Sequence, residues 1–377
     1  MAQTEKTEQI NNKCEIFTVK PNVEEFEKRW FCVAICNDGK VFMDDADSAG
    51  TFLEPLHNAA IAWVDYRTGS KDFDKDARVA ATLLGFSDQL ITSLNKESRS
   101  LYEDLDTEMG LKLPSIQIRA REETDVQAHT TLLFLKKNFI LTIHSLDVDR
   151  RFKRLRRYSD RILKRIPIEL LPEDKLTTLL IRIIDQNNDR NFEHLRQIEE
   201  QGDELNKRLM DPMTPRATLG PQIYGMKHAL ITYLNALWET VDVVHDVRYG
   251  DADLITSDAR LLELVGFLSD NVNNQIGLAE HLSEVLASGL EVLQSIYNNQ
   301  LQVLNNRLTL IITYLTVLGT AVLVPNTLAT IFSNSAFDMG PQDIGWYVAL
   351  LVVSTIVATG LCFWWIRRYK FLPKKIE

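Results

Sequence analysis

The chain has 377 residues, 45% of them hydrophobic, and 42 Lys and Arg against 52 Asp and Glu give a formal net charge of −10. That apolar fraction can bury a core, which excludes wholesale disorder. A mean hydropathy of −0.13 excludes a polytopic membrane protein, although an average leaves room for one or two spans at an end. The length implies two or three units at roughly 100–200 residues each.

Residues 1–13 are polar and carry no apolar run of the signal-peptide kind, so a disordered N-terminus and a cytosolic bulk are expected. The four cysteines, Cys14, Cys32, Cys36 and Cys362, are too few and too scattered for a disulfide framework. Cys32 and Cys36 lie in the strand-like run Trp30-Phe-Cys-Val-Ala-Ile-Cys36 and read as reduced core thiols, because no second Cys or His pair lies nearby.

Residues 14–147 alternate short apolar runs with helical patches and form an α/β or α+β domain. Asn37-Asp-Gly39 is a hairpin signal. Leu111–Ile118 and Leu132–His144 read as neighbouring strands with a turn at Lys136-Lys-Asn138. Residues 148–250 read as the helical part of the same domain. Leu176–Leu209 and Ile223–Val244 have helical spacing, and Pro212 and Pro215 between them suggest a helical hairpin.

From Ser257-Asp-Ala-Arg260, a plausible helix start, apolar residues recur at steps of mostly three and four through Leu261, Val265, Leu268, Val272 and Ile276, then from Leu282 to Leu308. No proline interrupts the stretch before Pro325. Such a length implies a coiled coil or a helix that continues into a membrane. Between Arg307 and Asp338 there is no charged residue, and Leu308–Phe332 supplies 25 mostly apolar residues. At about 1.5 Å per residue these cross a hydrocarbon core of roughly 30 Å. A stalk helix running into a first span over 255–332, an outer loop over 333–343, a second span over 344–366 and a basic tail over 367–377 follow. The loop holds Asp338 and Asp343 and no Lys or Arg, whereas Arg367, Arg368, Lys370, Lys374 and Lys375 follow the second span. The positive-inside rule then puts both termini in the cytoplasm.

Two helices in one subunit cannot enclose a water-filled path, so transport by this design requires an oligomer. Thr309, Thr313, Thr316, Thr320 and Thr327 recur in the first span, with Asn305, Asn306 and Asn326 at its ends. They read either as pore-lining groups suited to a partly hydrated cation or as satisfied polar residues in a packed bundle. Leu308, Ile312 and Leu315 are candidate hydrophobic gates that close by dewetting. No P-loop, G-x-S-x-G or H-E-x-x-H occurs and the seven histidines are dispersed, so an enzyme or an ATP-driven pump is not expected.

A cytosolic α/β domain, a helical hairpin, one very long helix, two C-terminal spans and a basic tail together resemble the CorA-type divalent metal ion transporters. Local matches are Trp63-Val-Asp65, Leu84-Gly85, Phe139-Ile-Leu-Thr-Ile-His144 followed by a basic run, and Leu308-Thr309. The resemblance implies a homopentameric funnel in the cell (inner) membrane, lined by the first spans and gated by its cytosolic domains. It implies passive flux of a divalent cation, Mg²⁺ by default, and no further cofactor. Co²⁺, Ni²⁺, Zn²⁺ and poorly selective monovalent passage remain open. The rival class is a membrane-anchored sensor or scaffold without conduction.

Two features depart from the family. Its Gly-Met-Asn signature is absent. Counting from Leu308-Thr309 places it over Pro325-Asn326-Thr327, and counting back from the hairpin places it nearer Ser333-Asn334-Ser335. Asn326 is the favoured substitute, with Pro325 freeing a backbone carbonyl beside it. Tyr224-Gly225-Met226-Lys227 looks like the signature but lies far ahead of the spans. Secondly, the acidic pair that follows the family's Leu-Gly stretch corresponds to Thr92-Ser93 here. Glu103, Asp104 and Asp106 in the cytosolic domain, or Asp258, Asp270 and Glu280 on the stalk, are the candidate replacement carboxylates, against the default that such groups are simply solvated. Arg150–Arg165 carries nine Lys and Arg in sixteen residues. A solvated helix pairing with acidic neighbours is expected there, and nucleic acid is not.

Overall fold

The computed structural model describes residues 28–69, 72–95, 101–118, 125–211, 213–332 and 340–368. The expected N-terminal disorder, Cys14, Asn334, Asp338, most of the outer loop and the tail beyond Arg368 lie outside the described residues. The chain divides into two units, Met1–Ala287 and Ser288–Glu377.

In the first unit, β1 (Trp30–Cys36) and β2 (Val41–Ala46) form the hairpin signalled by Asn37-Asp-Gly39, with Gly39 at φ 81°, a left-handed position that favours glycine. Then come α1 (Leu53–His57), β3 (Ala59–Thr68), α2 (Phe73–Leu83), α3 (Asp88–Asn95), β4 (Tyr102–Asp104), β5 (Glu108–Ile118), β6 (Val126–Lys136) and β7 (Phe139–Ser145). The sheet order is β2-β1-β3-β7-β6-β5-β4, antiparallel throughout except where β3 runs parallel to β7.

Both faces of the sheet are buried, so its strands alternate between two cores. Trp30, Cys32 and Ala34 point to one face, and Phe31, Val33 and Ile35 to the other. The two-residue period of a strand assigns the sides. The first face is covered by α1–α3, through Leu56, Ala77, Leu90 and Leu94. At Gly110 of β5 a Cβ would lie 2.3 Å from Leu94 Cδ1, so the missing side chain sets how closely α3 approaches. The second face is covered by α4 (Asp149–Leu163), α5 (Pro172–Asn188), α7 (Leu219–Tyr249) and the start of α8 (Ala259–Phe332), through Phe152, Ile183, Val243 and Val265. Between α5 and α7, α6 (Asn191–Met210) lies on α7, where His194 Nδ1 and the Tyr233 hydroxyl are 2.6 Å apart.

The continuous helix expected over Leu176–Leu209 is two helices, parted at Asp189 and Arg190. No Gly or Pro marks this break. Its cause is tertiary: the Asn187 amide donates to Pro114 O at 2.8 Å and accepts from Ser115 Oγ at 2.6 Å, while Arg151 donates to the Asn187 carbonyl. These groups draw the end of α5 down onto β5.

The second unit holds the remainder of α8 and α9 (Ile344–Arg368). Both are long and apolar enough to cross a membrane. Phe332 at the end of α8 lies edge-on to Trp346 and Tyr347, with ring centroids 6.1 and 6.2 Å away. Asp343, one of the acidic residues expected to face outside, accepts from Gly340 N at 3.0 Å and Trp346 Nε1 at 3.2 Å, and so closes the start of α9.

Candidate functional site

Every threonine of the first span returns its proton to its own helix. Thr309, Thr313, Thr316, Thr320 and Thr327 donate to the carbonyls four residues earlier, those of Asn305, Thr309, Ile312, Thr316 and Leu323, at 2.8–2.9 Å. Thr330 does the same with Asn326. With its proton spent, each oxygen has only lone pairs left to offer, so this surface presents acceptors. Pro325 stands inside the helix and has no N–H, which leaves the Ala321 carbonyl without its usual partner.

The two sides of α8 differ. Leu310, Thr313, Val317, Thr320, Val324 and Leu328 are half-buried, and Ala321 is only 9% exposed. Among the described residues of this unit α9 is the other long helix, and its half-buried Tyr347, Leu351, Ser354, Ala358 and Cys362 recur at matching steps. This is therefore the side on which α9 packs. On the opposite side, Leu308, Ile312 and Leu315 are 47%, 62% and 66% exposed. At about 100° per residue, Asn326 repeats the orientation of Leu308 and Gly319 lies between them, while Thr309, Thr316 and Thr327 fall about a quarter-turn to the flank.

The geometry thus divides the set named from the sequence. Leu308, Ile312, Leu315 and Asn326 share the open side; Thr309, Thr316 and Thr327 border it, as does Asn305; Thr313 and Thr320 turn toward α9. Asn326 sits within the helix, which continues to Phe332. The open side also extends back along the unit through Leu304, Leu301 and Tyr297, all exposed, as far as Leu293, which is buried. The steps of three and four that marked the stalk were the available signal for this seam.

In the first unit, the local family matches prove to be neighbours. Trp63 Nε1 donates to Thr142 Oγ1 across the parallel pair β3–β7. Asp65 is fully buried, with Oδ1 3.2 Å from His144 Nε2 and Oδ2 2.5 Å from Arg156 Nη1. Burial would raise the Asp65 pKa, but His144 and Arg156 outweigh it and hold it at about 2. Arg156 also pairs with Asp149. Arg151 is buried as well and donates to Ile116 O. The basic run is therefore not wholly solvated: two of its arginines are interior fasteners.

The metal candidates are dispersed. Asp258 precedes α8 and accepts from Arg260 N at 3.3 Å, an N-cap role. Asp270 and Glu280 are exposed farther along the same helix, about 18 and 33 Å beyond Asp258 at 1.5 Å per residue, so one chain cannot join the three around an ion. Asp104 Oδ1 accepts from Asp106 N at 3.2 Å. Thr92 accepts from Arg78 Nη2 at 3.1 Å, so a guanidinium already occupies the place expected for a metal-binding pair. Among the described residues no three His, Cys, Asp or Glu gather as a metal site. Tyr224-Gly225-Met226-Lys227 lies in α7, with Met226 in its packed face.

A mixed sheet covered on both faces, a 74-residue helix and a second apolar helix define a membrane protein with two C-terminal spans on a large α/β unit. The chain belongs to the CorA-like Mg²⁺ transporter family, whose model matches residues 58–368. Its class is accordingly a divalent cation transporter, not an enzyme. Similar solved structures include the complete CorA magnesium transporter of Methanocaldococcus jannaschii, 17% identical, with a TM-score of 0.61 over 90% of this chain and 98% of that one. The full-length CmaX protein is 14% identical, with a TM-score of 0.57 over 92% of this chain and 100% of that one. The ZntB cytoplasmic domain of Vibrio parahaemolyticus is 15% identical, with a TM-score of 0.53 over 71% of this chain and 98% of that domain. At these identities the likeness concerns the fold. No match was found among functionally curated proteins.

Proposed function

We propose that this chain forms a homopentameric channel in the cell (inner) membrane that passes a divalent cation, Mg²⁺ by default, down its electrochemical gradient. The observation that carries the reading is the open side of α8. An exposed seam at three- and four-residue steps, from Tyr297 to Asn326, lies opposite the side on which α9 packs. Apolar knobs at that spacing are covered by other copies around a shared axis. The likeness to a magnesium transporter supports the choice of cargo.

In this arrangement Leu308, Ile312 and Leu315 form apolar rings that close the path by dewetting. Gly319 leaves space above them, and Asn326 places amide oxygens nearer the outer end, with Asn334 beyond the described residues. Thr309, Thr316 and Thr327 flank the path as acceptors that can contact a hydrated cation and repel an anion. With Arg78 on Thr92, gating at that contact proceeds without a metal there. Both termini lie in the cytoplasm, where the basic tail meets anionic headgroups.

Purified protein in liposomes, loaded with a Mg²⁺-sensitive dye and held at a negative-inside potential, tests the reading. Mg²⁺ entry that Asn326→Ala alters, and a native mass of five chains, are expected. A stable dimer without flux would leave the membrane-anchored sensor or scaffold instead.

A further inference from the structure

A second concave site lies in the first unit, between α4 and α5, and neither the transport path nor the fold accounts for it. The groove has a volume of about 540 Å³, within the range of small-molecule sites. Arg154, Tyr158 and Arg161 follow one another at steps of four and three along α4, so they share a face; Arg165 joins them from the turn after α4, and Arg182 enters from α5. Leu155 and Ile166 supply an apolar floor.

The ends of the groove differ. Arg154 pairs with Asp189 at 3.5 Å, which aligns the start of α4 with the end of α5 and makes the two helices antiparallel. Arg161, Arg165, Arg182 and Thr178 therefore collect at one end, and Tyr158, Asp185 and Gln186 lie toward the other. Among the described residues none of Arg161, Arg165 and Arg182 makes an ion pair; Arg161 instead lies over the Tyr158 ring, 5.7 Å from its centroid. Asp185 draws on Arg182 from the same groove, but among the described residues none of the three guanidiniums is closed by a carboxylate within ion-pair distance. They are left poised for phosphate oxygens, which they bind bidentately. At the other end, the Gln186 amide and Asp185 carboxyl can pair with a base edge and sugar hydroxyls above an apolar floor. Burial and the neighbouring Asp189 raise the Asp185 pKa against the pull of Arg182, which lessens its repulsion of an anion.

We propose that this groove binds a nucleoside triphosphate, with its phosphates on Arg161, Arg165 and Arg182 and its nucleoside toward Tyr158 and Gln186. Nucleoside triphosphates chelate divalent cations, so a transporter carrying this site would respond to the chelated pool as well as to the free ion. The binding itself does not depend on the channel reading.

Calorimetry on the full chain in detergent, with ATP, tripolyphosphate and adenosine as probes and a chelator present, tests it. Saturable ATP binding is expected, weakened about tenfold or more by Arg161→Ala with Arg165→Ala and only partly restored by the paired lysine substitutions, which return the charge but not the bidentate contacts. Tyr158→Ala should weaken ATP about fivefold and leave tripolyphosphate unchanged. Arg157→Ala, which faces a different groove, should change neither. Thermal melting checks that the variants fold. Absence of saturable ATP binding, or ATP affinity unaffected by the paired alanines, would overturn the site. Tripolyphosphate binding as tightly as ATP would overturn the nucleoside assignment.

Discussion

Arg156 Nη1 lies 2.5 Å from Asp65 Oδ2 although 91 residues separate them in the chain. The pair fastens α4 to β3, and His144 of the adjacent β7 completes it. Asp65→Ala leaves two basic side chains buried without their acceptor. Truncating one partner of such a set costs about 3–5 kcal/mol. A large fall in the melting temperature of the detergent-solubilised chain is expected; an unchanged melt would show the network to be dispensable.

The same carboxylate sets an acid limit. Its folded pKa of about 2 lies below its ordinary value of 3.8, so its contribution is fully present above about pH 4 and is lost as the pH falls toward 2. The shift corresponds to about 2 kcal/mol. Acid unfolding monitored by circular dichroism should begin at higher pH in Asp65→Asn, which lacks that contribution throughout. Superimposable acid transitions would count against it.

Gly110→Val places a branched side chain where Leu94 already stands. Leu94 is fully buried and has little room to retreat. Overpacking of this kind costs about 1–3 kcal/mol. Pairing it with Leu94→Ala should recover part of the loss, measured as a double-mutant cycle on thermal stability.

Burial, with Asp44 and Cys36 adding to it, raises the Cys32 thiol to about 12. Almost no thiolate exists there at neutral pH. Mass spectrometry after iodoacetamide treatment should find Cys32 unmodified in the native protein and modified only in denaturant. Rapid native labelling would contradict its place in the core.

Two substitutions in α8 separate its sides. Leu315→Ser wets an apolar ring and should raise resting Mg²⁺ flux about tenfold. Thr320→Val faces α9 and removes only a hydroxyl bonded to its own helix, so flux should change less than about twofold. The reverse order of effects in liposomes would put the threonine side on the path.

Much of this organisation was legible from periodicity. Phe31, Val33 and Ile35 alternating with Cys32 and Ala34 read as a strand, and steps of three and four from Leu282 onward read as a long helix. The threonines were visible but not their orientation, because a stripe of hydroxyls looks the same whether it faces water, a neighbour or its own backbone. Asn187 breaking a helix was illegible for a similar reason: its partners, Pro114 and Ser115, lie on another element.

The sequence by itself determined that this chain has an α/β bulk and two C-terminal spans, and the order of these elements carried the resemblance to a family. The bulk and the spans follow from local composition and period, and hydrophobic burial acts on those one segment at a time. Only the tertiary structure decided that Arg151 and Arg156 leave a basic surface helix for the interior, and that Arg78 occupies Thr92. It also decided which side of α8 meets α9 and which stays open. These are pairings between distant segments, and their energies depend on distance and desolvation that a linear pattern does not contain. The net charge of −10 is a sum over residues, while the seam from Tyr297 to Asn326 depended on which helix face its neighbour left uncovered.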